Sequence, residues 1–384
     1  MAYYNLFPQK DSTIYSHPDR SGLNTGHDEL LEIVKERGSS NDYHYPSRIL
    51  IKFKNEEIKS TIEDVIGHST FNNGTSKVAL QLTTVDPKDL NTVLNLTVYP
   101  VSQSWNEGSG RYGNIPTGSD GTNWIYRDND TYQTAWTTAS FAAGSTGSLN
   151  SSLLTAGGGT WYTGSGFEAT QQFLTGDDLN TNFDVTDIVK KHSASLFANS
   201  TYPTGIENEG FMVKQPESVE INLTSSFGEL SYFSVNTHTI YPPKLTFKWD
   251  DSTHTYQSSA KNSGDLNVSL YRNKEKYNQN DEVLFRIHVR DKYPTRAFST
   301  TSNYLDVGYF TTSSYYSIRD AYTEEEIIPF DDSFTKISAD SDGMYFKLFM
   351  QGLQSERYYR LLFKHINNDG TTIYDNKYLF KVIR

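Results

Sequence analysis

Short stretches rich in Val, Ile, Leu, Thr, Tyr and Phe recur along the chain between clusters of Gly, Asn, Asp and Pro, the pattern of many β-strands joined by turns. The clearest are Arg48 to Lys54, Lys77 to Thr83, Val93 to Val101, Gly210 to Lys214, Val219 to Thr224 and Lys244 to Trp249. In RILIKFK, residues Ile49, Ile51 and Phe53 share one face and Arg48, Lys52 and Lys54 the other. One face is therefore expected to be buried and the other wet. Alternation of this kind points to antiparallel sheets, since parallel strands covered on both faces read as continuous apolar runs. Helical spacing is confined to two places. After Asn55, residues Ile58, Ile62, Val65 and Ile66 recur three and four apart and stop at Gly67, which suits a short helix with an Asn cap and a Gly exit. In FDVTDIVKKHSASLF, Asp184 or Thr186 caps a turn that places Val185, Ile188, Val189 and His192 together, with Lys190 and Lys191 toward water.

Two changes of texture organise the chain. Residues 139–166 are rich in Gly, Ser and Thr and read as a long surface insertion with few side chains to offset ordering entropy. Residues 250–264 are polar and free of Val, Ile, Leu and Met, which sets a boundary: a first domain over 1–252, a linker over 253–264 and a second domain over 265–384. Beyond the linker, LNVSLYR, EVLFRIHVR, YLDVGYF, GMYFKLFM, RYYRLLFKH and KYLFKVI follow one another with turn signals between them, as in an immunoglobulin-like β-sandwich. No internal repeat is visible, which argues against a solenoid or propeller.

Composition narrows the function. The 384 residues include 27 Tyr, 21 Phe and 5 Trp, enough large apolar surface to build a core. The net charge is −12 with no basic tract, and a nucleic-acid partner, which needs clustered Lys and Arg, is not expected. No apolar run approaches the ~20 residues of a spanning helix, so membrane insertion is not expected either. The start, MAYYNLFPQKD, lacks the basic and apolar regions of a signal peptide. Cysteine is absent, which removes disulfides, thiolate nucleophiles and Cys-type zinc sites. A β-rich chain heavy in Tyr, Asn, Thr and Ser, without leader or disulfide, fits a virion component made in the host cytoplasm and released by lysis.

The first two thirds resemble a known family. An opening KDSTIYSHPDRSGLNTG is followed by SRILIKFK, LNLTVYPVSQSWNEG, GTNWIYRD, FDVTDIVKKH, NEGFMVK and a closing PPKLTFKWDD. In order and spacing, from Lys10 to Asp251, this resembles a DNRLRE-type domain, a jelly-roll β-sandwich related to carbohydrate-binding modules. The resemblance implies an N-terminal jelly roll with two short helices. The remaining third, with RDAYTEEEIIPFDD and SDGMYFKLFMQGLQSERYYRLLFK, is similar in texture to structural proteins of tailed bacteriophages, especially T-even-like myoviruses. It implies a tail, neck or baseplate/fibre-associated component assembling with other virion proteins as a homo- or hetero-oligomer.

Candidate chemistry is sparse. The nine histidines never form HxH or HExxH, so zinc is unsupported. Calcium suits oxygen ligands, and Asp11, Asp28 and Asp250 would meet if the first and last strands of the sandwich pair; solvated turn carboxylates are the ordinary reading. No GxSxG elbow occurs, and no catalytic grouping is expected. Trp124 and Trp136, with Asp128 and Asp130 nearby, are the side chains a saccharide site would use, since sugars stack on aromatic faces while carboxylates accept their hydroxyls. Packing of these tryptophans in the sandwich is the competing reading, and a host-glycan adhesin is the alternative function. Trp105, followed by Glu107 and Gly108, reads as a structural corner. Trp161 and Tyr162 stand in a Gly-rich loop and must dock on this chain or a neighbour. In TEEEIIPF, Ile327, Ile328 and Phe330 follow three acids, giving either a solvated loop with a buried tail or an edge that meets a basic partner.

Overall fold

A computed structural model of the chain describes residues 2–38, 44–72, 75–113, 120–130, 132–137, 146–147, 157–197, 205–220, 222, 226–255, 260–262, 264–271, 273–294, 298 and 308–384. Strands dominate it and helices are few and short, so the class is all-β. The chain forms two compact units. One comprises Leu6–Asn72 and Lys77–Thr246, the other Met1–Asn5, Asn73–Ser76 and Phe247–Arg384.

In the larger unit one sheet runs in the order Ala169–Leu174, Val93–Pro100, Phe211–Lys214, His44–Lys52, Leu30–Arg37, Gly228–Phe233 and Thr84–Lys88. Its pairings are antiparallel, as the alternation predicts. The sheet curls because His44–Lys52 changes partner along its length. His44 to Pro46 pair with Leu30–Arg37, whereas Ser47 to Lys52 pair with Lys10–Tyr15.

The expectation of one wet face on this strand holds only at its end, where Lys52 is half-buried and Lys54 exposed; Arg48 and Leu50 are as fully buried as Ile49 and Ile51. Its second face lies under the segment around Trp124 and Trp161 and under a helical turn, Glu217–Glu220. Residues 221 and 223–224 of the strand expected over Val219 to Thr224 lie outside the described residues, and the turn takes up its first two, Val219 and Glu220. Pro216 precedes the turn, as suits a helix start, and Lys35 donates to the carbonyls of Val219 and Asn222 at its end, both at 2.6 Å.

Both predicted helices form. Asn55–Ser60 continues as a π-helical turn over Thr61–Ile66 and stops at Gly67, whose φ of 84° suits glycine. Ile58, Ile62 and Ile66 are buried as the spacing requires. The cap differs: Lys54 occupies the N-cap position, and the Asn55 side chain instead accepts from Asn208 at 2.8 Å. The second helix, Thr186–Leu196, starts where the Asp184 carboxylate accepts the Thr186 N–H at 3.2 Å.

The smaller unit contains two sheets. One orders Leu266–Tyr271, Glu282–Asp291, Gly343–Phe349 and Ser338–Asp340; the other orders Lys276–Asn278, Gly370–Ile383, Tyr358–Asn367, Ser314–Asp320 and Glu326–Ile328. Their inner faces share one core. Phe346 of the first stacks on Tyr316 of the second with centroids 4.3 Å apart, and Phe285 lies 5.7 Å from Phe380. Residues from the chain start complete this unit: Tyr3 joins the core and Asn5 donates to the Gly352 carbonyl at 3.2 Å. Most of the expected strand at YLDVGYF, residues 304–307, lies outside the described residues. No helix among the described residues is long and apolar enough to cross a membrane.

Candidate functional site

The aromatic side chains singled out in the sequence converge on one cluster of the larger unit, but from the inside. Trp105, Trp124, Trp136 and Trp161 pack with Tyr99, Ile14, Leu50, Val101 and Met212. Trp124 is 0% exposed and Trp136 4%, so neither offers a ring face on which a sugar could stack. The indole N–H of Trp136 is satisfied by the Asn123 carbonyl at 2.9 Å. Asp128 and Asp130 stand beside this core in a short hairpin, where the Asp128 carboxylate accepts the Asp130 N–H at 3.2 Å. The glycan platform expected from Trp124, Trp136, Asp128 and Asp130 is therefore replaced by a packed corner. All five tryptophans of the chain are buried.

At the centre of this cluster lies an ionic group that the sequence reading above does not anticipate. The Arg48 guanidinium meets Glu220 through two bonds, Nε to Oε1 at 3.1 Å and an Nη to Oε2 at 2.8 Å. Lys214 reaches the same carboxylate at 2.9 Å. All three side chains are fully buried. Arg48 also lies 4.7 Å from the Trp124 ring and 5.0 Å from the Trp161 ring, where cation–π attraction offsets part of its desolvation. Burial works against ionisation of Glu220, yet Arg48 and Lys214 hold its carboxyl below the usual range. Burial pushes the Lys214 ammonium down to about 8 even beside that carboxylate. The one available hint was Leu50, an apolar residue flanked by Arg48 and Lys52 on the supposedly wet face.

The Gly-rich text before Trp161 has a steric reason. Gly158 has φ of 83°, and a Cβ there would lie 2.5 Å from the Arg48 guanidinium and 2.7 Å from the Trp124 ring. Trp161 is buried and its strand, Trp161–Tyr162, pairs with Thr146–Gly147. Tyr162 stacks on Phe167 at 5.6 Å. Both aromatics thus dock on their own chain and leave no ring for a neighbour at Trp161.

The remaining sites are also internally satisfied. Asp11 is buried and accepts the Val235 N–H at 2.7 Å, and burial holds its carboxyl well above the usual range. Asp28 accepts from the N–H of Glu29 and of Tyr112. Asp250 belongs to the other unit and accepts from Ser252. Among the described residues no three His, Asp or Glu gather into a group that could hold a metal ion, so the calcium grouping expected of these three aspartates does not form. In TEEEIIPF, Glu324 pairs with Arg360 and Glu326 with Arg319; these two of the three acids meet basic strand residues of this chain. Ile328 is buried, Ile327 packs on the core and Phe330 lies 5.4 Å from the Lys364 ammonium.

Exposed apolar side chains occur on both units, and on the smaller one several share a single sheet face. Along Tyr358–Asn367 and Gly370–Ile383 the register pairs Arg360 with Leu379, Lys364 with Ile373 and Ile366 with Thr371. These face away from the core that holds Tyr359, Leu361, Phe363 and Phe380. Ile373 is 54% exposed, and Tyr358, Ile366 and Leu379 are exposed as well. Ion pairs stud the same face: Arg360 with Glu324, Lys364 with Asp332, and Lys381 with Glu356. No family model matches the chain, and no curated protein matches it.

Proposed function

We propose that the chain is a non-enzymatic structural protein of a tailed-bacteriophage virion, a tail, neck or baseplate/fibre-associated component that works by protein–protein assembly. In this reading the larger unit is a jelly-roll sandwich and the smaller one an immunoglobulin-like sandwich. One observation carries it: the outer face of the Tyr358–Asn367 and Gly370–Ile383 strands, where exposed Ile and Leu alternate with ion-paired Arg and Lys over a rigid aromatic core. Apolar anchors with Arg and a polar surround are the make-up of subunit interfaces, and charged side chains set in that face fix register. An adhesin working through Trp124 and Trp136 is disfavoured, because those rings are enclosed.

The test is direct. Mass spectrometry of intact particles should find the chain, and purified protein should self-associate or bind another particle protein. A monodisperse monomer, absent from particles and without partner, refutes the reading.

A further inference from the structure

We infer that the larger unit pairs with a second copy of itself, strand to strand, along the edge formed by Ala169–Leu174, so that one antiparallel sheet runs through two chains. This contact belongs to a different unit from the assembly face described above and does not depend on it.

Ala169–Leu174 ends its sheet and pairs on one side only, with Val93–Pro100. Its two sides can be told apart. Thr175 donates its N–H to the Thr92 carbonyl at 3.1 Å, and in an antiparallel pair the backbone groups of successive residues point alternately toward and away from the partner. Ala169, Gln171 and Phe173 therefore bond inward, while Thr170, Gln172 and Leu174 turn N–H and C=O outward. Leu174 is closed by the turn that follows: its N–H reaches the Asp177 carboxylate at 2.8 Å, and its carbonyl accepts the Asp177 N–H at 3.0 Å. The outward N–H and C=O of Thr170 and Gln172 have no bond to any described residue.

The edge is already set in extended form. The exposed Thr170 hydroxyl lies 3.0 Å from that of Thr97, and the exposed Gln172 amide donates to Asn95 at 3.1 Å. Little ordering is left to do when a partner arrives, which reduces the cost of binding. An open edge of this kind is a template for another strand. Two other edge strands of the chain are guarded. Thr84–Lys88, at the far end of the same sheet, carries Asp86, Pro87 and Lys88, and in Leu266–Tyr271 the Val268 carbonyl is taken by the Asn376 amide at 2.6 Å. Ala169–Leu174 has neither proline nor charge.

That neutrality identifies the partner as the same strand. In a two-fold antiparallel arrangement centred on Gln171, Thr170 of each copy faces Gln172 of the other, and every such pair exchanges N–H···O bonds in both directions. Ala169 then faces Phe173 and Glu168 faces Leu174, so no acid is set against an acid, although the whole chain carries −12. Like charges directly opposite would destabilise the pairing.

Sedimentation velocity of the full chain, at loadings up to about 0.5 mM, should show a dimer with a Kd on the order of 10–100 μM, as suits a contact of small area. The Gln172 N–H points away from Val93–Pro100, so Gln172→Pro removes an outward donor and no ladder bond. It should weaken the dimer about tenfold or more, and a thermal melt shows whether the variant folds. Two double variants at the same exposed positions test the register without proline. Thr170→Lys with Gln172→Lys sets lysines against each other across the contact and should leave a monomer, whereas Thr170→Lys with Gln172→Glu sets opposite charges there and should keep the dimer. A chain that stays monomeric over the whole range, a dimer that survives both Gln172→Pro and the lysine pair, or a dimer lost instead with Ile373→Asp and Leu379→Asp overturns the proposal. Dimerisation through this edge and incorporation into particles are read with different variants, so either reading can fail alone.

Discussion

Replacing Glu220 by Gln isolates the ionic group inside the larger unit. The carboxylate accepts three charged bonds from two cations, with no water-exposed atom on any of the three side chains. The amide keeps one acceptor but turns a donor toward the other cation, and the buried charge rises by one unit. Removing one partner of such a group costs about 3–5 kcal/mol. The lower end is expected here, because Arg48 retains the Gly158 carbonyl and two indole faces, and Lys214 retains the Gln215 carbonyl. Arg48 stays charged at any working pH, whereas Lys214 already sits near 8 and can release its proton. The penalty should therefore shrink between pH 7 and pH 9. Urea unfolding followed by tryptophan fluorescence reads this well, since Trp124 and Trp161 enclose the group. At ~2–4 °C per kcal/mol for a unit of this size, a loss of about 3 kcal/mol lowers Tm by roughly 6–12 °C. Replacing Arg48, Lys214 and Glu220 together by Met, Met and Leu should recover most of the loss. A Glu220→Gln loss under about 1 kcal/mol would refute the assignment of a charged, water-free centre.

Other outcomes follow from the same structure. His192 is buried with both ring nitrogens unpartnered, and burial lowers its pKa to about 3. The unfolded chain, titrating near 6.5, then binds the extra proton, so stability is full above about 6.5 and falls as pH drops toward 3; a His192→Leu variant should show a flatter pH profile in thermal melts. Gly158→Ala should cost about 3 kcal/mol in urea titrations, combining the strain of a positive φ with overpacking against Trp124. Ile373→Asp with Leu379→Asp should change unfolding free energy by less than about 1 kcal/mol, as both sites are exposed, but should abolish incorporation into particles.

Much of the fold was legible because alternation and spacing are local properties. Ile58, Ile62 and Ile66, and Ile188, Val189 and His192, fall on buried helix faces as their spacing requires. What could not be read depends on what covers a surface. RILIKFK looks half-wet until Trp124 and Trp161, far along the chain, are laid over Arg48. Val219 opens a strand-like stretch, yet the contacts of Glu220 with Arg48 and Lys214 and of Lys35 with Val219 favour a helical turn over Glu217–Glu220. Asp11 and Trp124 had the residue types of a site, and long-range packing placed both indoors.

Trp136 and the Gly157–Trp161 segment are both held by the Arg48 cluster. Arg48 and Gly158 thus meet across 110 positions of sequence, and contacts of such separation form slowly in folding because the chain must close before they reward it.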